Sequence, residues 1–120
     1  MLSLRIDPEL LVPSQALMLV TTVEDGLLAK RLAHVLVEER LAACVNLGAK
    51  SLSMYEWQGV LEGDEEITLT IKTVGDKVLA LAQRLTELHP YDVPELLVLP
   101  VIGGSEAYLD WLVEQTRVSN

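Results

Sequence analysis

The chain has 120 residues, enough for one domain that buries roughly 60 to 70% of its unfolded surface. Nine Lys and Arg against eighteen Asp and Glu leave a net charge of −9, a field that makes phosphate backbones and anionic lipid heads poor partners. An apolar fraction of 50% excludes disorder, apolar runs far below ~18 residues exclude a spanning helix, and the lone Cys44 excludes an intrachain disulfide. A soluble cytoplasmic domain is the expectation, because Asp7, Pro8 and Glu9 also interrupt any secretion signal.

Residues 1–15 carry Pro8 and Pro13 without a sustained period and read as an irregular extension with a mobile tip, ahead of a domain spanning 16–120. Ala16–Thr22 is a continuous apolar run ending in β-branched threonines, which suits a strand buried on both faces. From about Asp25 to Leu41, Leu28, Leu32, Val35 and Leu36 fall at helical spacing. Leu41–Leu47 turns extended again. After Gly48 and Ala49, Ser51–Trp57 alternates, with Leu52 and Met54 on one face and Ser51, Ser53, Tyr55 and Trp57 on the other. Gly59 and Gly63 bracket an expected turn rich in Glu62, Asp64, Glu65 and Glu66, and Ile67–Lys72 alternates as the return strand, so a long hairpin with an acidic tip is predicted. That tip lacks the ordered spacing of a calcium loop and reads as a solvated turn.

A second helix opens at Gly75-Asp76, shows an apolar stripe of Leu79, Ala82, Leu85 and Leu88, and ends at His89-Pro90. Leu96–Leu99 forms a fourth strand, and Ser105 caps a last helix bearing Leu109, Leu112 and Val113. The order β-α-β-β-α-β plus a terminal helix predicts an α+β, ferredoxin-like sandwich. Two helices cover one face of such a sheet, yet the first and fourth strands are apolar at consecutive positions, so other copies of the chain are expected on the second face. The exposed edge of the hairpin points the same way.

Cys44, among small apolar neighbours, is either a thiolate nucleophile or soft-metal ligand, or a small buried side chain. His34, inside the first helix without a second His or Cys at i+3 or i+4, reads as structural. The stretch His89-Pro-Tyr-Asp-Val-Pro-Glu95 holds several polar side chains between two prolines, which marks either a functional loop or a helix-to-strand connection. Lys72, at the end of the return strand, is a candidate to meet His89 and Glu95, or a plain surface lysine. Nucleotide-binding, hydrolase and zinc-protease signatures are absent.

Ala42-Ala-Cys-Val-Asn46, Tyr55-x-Trp57-x-Gly59, Ile71-Lys-Thr73, His89-Pro-Tyr-Asp-Val-Pro-Glu95 and Tyr108-Leu-Asp-Trp111, in this order and spacing, resemble the CutA divalent-cation tolerance family over about Leu17 to Thr116. The resemblance implies a homotrimer joined through the long hairpin, similar in architecture to PII signalling proteins. It also implies a non-catalytic role in tolerance to divalent metals, copper in particular, with no required cofactor. The family's metal constellation corresponds to Thr21, Leu88 and His89, of which only His89 is a ligand type; Cys44 matches a family cysteine and stands second to it. The family's Pro-Gly in the second strand is replaced by Ala49-Lys50. A competing reading is a PII-like regulator whose inter-subunit cleft, lined by Lys72, Tyr91, Glu95, Tyr108 and Trp111, takes a small molecule. The third and weakest is an enzyme with His89 as general base oriented by Glu95.

Overall fold

The computed structural model describes residues 3–117. Its sheet is built from β1 (Ala16–Val23), β2 (Cys44–Trp57), β3 (Val60–Val74) and β4 (Leu97–Pro100), in the order β2-β3-β1-β4. Every neighbouring pair is antiparallel. Helices α1 (Gly26–Glu38), α2 (Val78–Leu88) and α3 (Glu106–Thr116) complete the ferredoxin-like plan that the sequence predicts. Asp25 starts α1 by accepting the Leu27 amide at 2.9 Å, and Arg40, at φ 59°, ends that turn before Leu41, slightly earlier than the apolar spacing suggests.

Alternation along the central strands sorts the side chains. Leu17, Leu19, Leu69 and Ile71 point to one face, where Leu32 and Leu36 of α1 and Val78, Leu81 and Leu85 of α2 close the core. Leu79, placed in the buried stripe of the second helix from its spacing, is instead exposed, because the stripe runs through Val78, Leu81, Ala82 and Leu85. Leu4, Ile6, Leu10 and Leu11 of the N-terminal segment pack against the same core, with a 3-10 turn at Pro8–Leu11 that Asp7 caps. The tip of this segment, Met1 and Leu2, lies outside the described residues, as does 118–120.

The hairpin departs from the acidic turn predicted between Gly59 and Gly63. Trp57 pairs with Val60, so the turn is Gln58-Gly59, two residues at φ 51° and 81°. Such a turn needs positive φ at both positions, and its twist matches that of the flanking strands. Glu62, Asp64, Glu65 and Glu66 therefore lie along β3, and the tip itself is aromatic and apolar. Between Leu47 and Lys50 the register of β2 gains one residue, a bulge that carries the strand past Gly48 and Ala49 without breaking it. Beyond Ile67, opposite Val23, β3 has lost its β1 neighbour. The remaining two-stranded arm projects roughly 20 Å past the sheet, giving a molecule of 47 × 29 × 28 Å.

On the second face, α3 packs Leu109 and Leu112 against Ala16 and Ala43 at one end. The rest stays open in the single chain. Met18 pairs with Leu99 and Val20 with Leu97, and both leucines are exposed, at 44% and 57%. Farther out on the same face, past Glu66 and Asp64, the arm exposes Tyr55, Trp57 and Val60.

Candidate functional site

Two clusters of polar and aromatic side chains border the open face, one at each end. The first is built on β3 and α3. Lys72 lies between Cys44 of β2 and Met18 of β1, and its ammonium reaches up to α3. Nζ stands 3.4 Å from the Tyr108 hydroxyl and 5.6 Å from the centre of that ring, a cation–π distance. Ser105 accepts the Tyr108 amide at 3.4 Å and so starts α3 in the orientation that aims Tyr108 at Lys72. One turn on, Trp111 lies 5.5 Å from Tyr108 between ring centres, tilted by 34°. Beside them the half-buried Cys44 thiol contacts the Asn46 side-chain oxygen at 3.7 Å.

The second cluster belongs to the loop after α2. His89 is buried, at 7% exposure, and both of its ring nitrogens are engaged. Nδ1 accepts the Tyr91 amide at 3.2 Å, which leaves the proton on Nε2 to donate to the Thr22 carbonyl at 2.8 Å. This arrangement is a neutral imidazole that ties the loop to the end of β1. Tyr91 packs edge-on against the imidazole at 4.6 Å, and its hydroxyl donates to Glu66 at 3.0 Å. Burial, and then the hydrogen bond to the Glu66 carboxylate, raise the Tyr91 pKa well above the ordinary tyrosine value. On the exposed arm, a hydrogen bond to Asp64 pushes Tyr55 up to about 12.

The expected meeting of Lys72 with His89 and Glu95 does not form within one chain. Lys72 and Glu66 are six residues apart on β3, roughly 20 Å along a strand, and His89 belongs to the Glu66 end. Glu95 is exposed and makes no side-chain hydrogen bond among the described residues. The five cleft residues named from the sequence therefore divide, with Lys72, Tyr108 and Trp111 at one rim and Tyr91 near the other. His34 is exposed and pairs with Glu38 at 2.5 Å on the surface of α1.

Thr21 is fully buried in the helix-facing layer, and its hydroxyl has no hydrogen-bond partner among the described residues. Together with Leu88 and an imidazole whose nitrogens are both in use, it does not make a donor set fit for a soft ion. Among the described residues, no three His, Cys, Asp or Glu side chains converge as a metal cage. A groove of about 300 Å³ lies between Val12, Gln15, Val101 and Leu109, and its lining includes no side chain of either cluster. The sequence places Glu66 only in an acidic turn and Asn46 only in a motif, and it misses their partners because these are set by strand register. The alternation of Glu66 with buried Ile67 was the one available signal that its carboxylate shares a face with Lys72.

Comparison with known proteins agrees with this architecture. The family model described as CutA1 divalent ion tolerance protein matches residues 17–115. A divalent-cation tolerance protein CutA of Thermus thermophilus is 46% identical over 95 residues, covering 79% of this chain and 92% of the relative. Its namesake from Pectobacterium atrosepticum is 47% identical over 102 residues, covering 85% of this chain and 93% of that one. The crystal structure of CutA from Xylella fastidiosa superposes with a TM-score of 0.84 at 39% identity, over 86% of this chain and 99% of that chain.

Proposed function

The chain belongs to the CutA1 family of divalent ion tolerance proteins, and on that premise we propose that it serves divalent-cation tolerance as a non-catalytic homotrimer whose copies cover one another's open sheet face. The observation that carries this reading is the apolar band Met18, Val20, Leu97 and Leu99, with exposed Tyr55 and Trp57 farther out on the same face of the arm. A band of that kind is stable in water only when something covers it, and an arm with unpaired edges supplies strand pairing for a neighbour. Light scattering is expected to report three times the 13.2 kDa chain mass. A single-copy mass would refute the assembly. A cytoplasmic setting agrees with the free thiol of Cys44.

Copper or another divalent ion is the ligand in this reading. His89 can serve only after giving up a hydrogen bond, whereas Cys44 is half-buried on the face where copies meet. Calorimetry with copper and with zinc on wild type, Cys44→Ser and His89→Ala is the test. Reduced heat in Cys44→Ser with unchanged heat in His89→Ala is expected. Absence of heat from the wild-type protein would remove direct ion binding and leave the assembly standing.

A second reading, a PII-like trimer with a small-molecule cleft between copies, is favoured by one observation: both polar clusters sit on the rim of the open face. A neighbouring copy there would wall the Lys72–Tyr108–Trp111 group into a crevice. Thermal-shift screening against Lys72→Ala tests it, since a ligand shift that survives the substitution would rule out that crevice.

A further inference from the structure

Lys72 is a cation in an unusual place for so acidic a chain. The ion pairs among the described residues join His34 to Glu38, Arg84 to Glu39 and Glu87, and Arg117 to Glu114; none includes Lys72. Its surroundings on the sheet face are Cys44, Met18, Thr70, Val20 and Leu99, none of them charged. Among the described residues the ammonium has one polar side-chain contact, the Tyr108 hydroxyl at 3.4 Å, which acts there as an acceptor. The hydroxyl proton of Tyr108 remains free to donate outward. Burying such a charge under another copy costs several kcal/mol unless an anion meets it.

We propose that Lys72, Tyr108 and Trp111 form the recognition half of a site for a small carboxylate with a flat apolar body. The carboxylate bridges the Lys72 ammonium and the Tyr108 hydroxyl, two donors on one side of the crevice. The flat body lies along the Tyr108–Trp111 pair, two residues each 41% exposed in the single chain. This inference deepens the cleft reading given above and rests on it for the wall that excludes water.

Benzoate is a suitable probe, with benzamide as its uncharged counterpart of the same shape. Because Trp57 and Trp111 are the two tryptophans, Trp57→Phe leaves Trp111 as the sole tryptophan, which light too long in wavelength for tyrosine excites selectively. Saturation-transfer NMR on the wild-type protein supplies a readout independent of that change. Benzoate is expected to quench Trp111 saturably, with binding weakened about tenfold for benzamide and about tenfold in Lys72→Met, the loss of one charge-assisted hydrogen bond. Equal binding of the two probes, or equal binding of benzoate by Lys72→Met, would overturn the proposal.

Sedimentation of the same samples separates this inference from its premise. A trimer that ignores benzoate overturns the carboxylate site and leaves the assembly intact. Benzoate binding by a single-copy protein refutes the covering of the sheet face and, with it, the water-excluding wall on which the proposed site rests. If Lys72→Met breaks the trimer while the wild-type protein ignores benzoate, the counter-charge is a neighbour's carboxylate and the proposal fails.

Discussion

His89 shows how one side chain carries structure where its type suggests chemistry. Its ring spends both nitrogens on backbone, one on the Thr22 carbonyl and one on the Tyr91 amide, so removing it leaves a buried carbonyl and an amide without partners. His89→Ala is expected to cost about 2–3 kcal/mol, read as a lower urea midpoint with an unchanged slope. Tyr91 adds a pH dependence. Its folded-state pKa is raised above the ordinary value of 10.0, first by burial and then by Glu66. The folded protein therefore keeps a proton that the unfolded chain releases. The stability Tyr91 contributes is present below pH 10.0 and is lost as the pH rises beyond that value. Between pH 9 and 11 the wild-type urea midpoint should fall further than that of Tyr91→Phe; parallel falls would assign the alkaline loss to other groups.

Among the elements, the junction between β3 and α2 depends on a close approach. Gly75 donates its amide to the Gln15 carbonyl at 2.8 Å, and a Cβ there would stand 2.2 Å from the Val12 carbonyl oxygen and 2.4 Å from that of Leu10. Both obstacles are backbone, so the N-terminal segment has to move to admit a methyl group. Gly75→Ala should destabilise by about 1–3 kcal/mol in thermal or urea unfolding. Gly103→Ala, with open space at the same position, should stay within about 0.5 kcal/mol of wild type. Similar costs at the two sites would mean that residues 3–15 are not held as the structure shows. The bulge after Leu47 acts at the same scale. Its extra residue reverses which side chains of β2 share a face, and it brings Tyr55 and Trp57 to the open face beside Val60.

At the scale of the whole molecule, a sheet with helices on one side leaves a strip of apolar side chains that α3 is too short to cover. Leu99 is a direct probe, because it is already 44% exposed in the single chain and its replacement leaves the core of that chain intact. Leu99→Asp should lower the mass in light scattering toward the 13.2 kDa of one copy, since a carboxylate buried in an apolar interface without a partner is strongly unfavourable. Leu27→Asp, on the opposite side at the start of α1 and more exposed still, should leave the assembly unchanged. An unchanged mass for Leu99→Asp would place the contact between copies elsewhere.

Local chemistry made much of this protein readable from its residues alone. The apolar run of β1, the period of two in β3, the helical spacing in α1 and α2, and the Ser105 cap each depend on neighbours within a few positions. So does the family signature from Ala42 to Trp111. Tertiary structure alone decided which partners those residues meet. It moved the turn to Gln58-Gly59, exposed Leu79, sent Tyr91 to Glu66, and parted Lys72 from His89 by most of a strand's length. The reason is physical: strand register and the packing of α3 bring together residues tens of positions apart in the chain, and one added residue in β2 is enough to exchange the faces on which every later side chain stands.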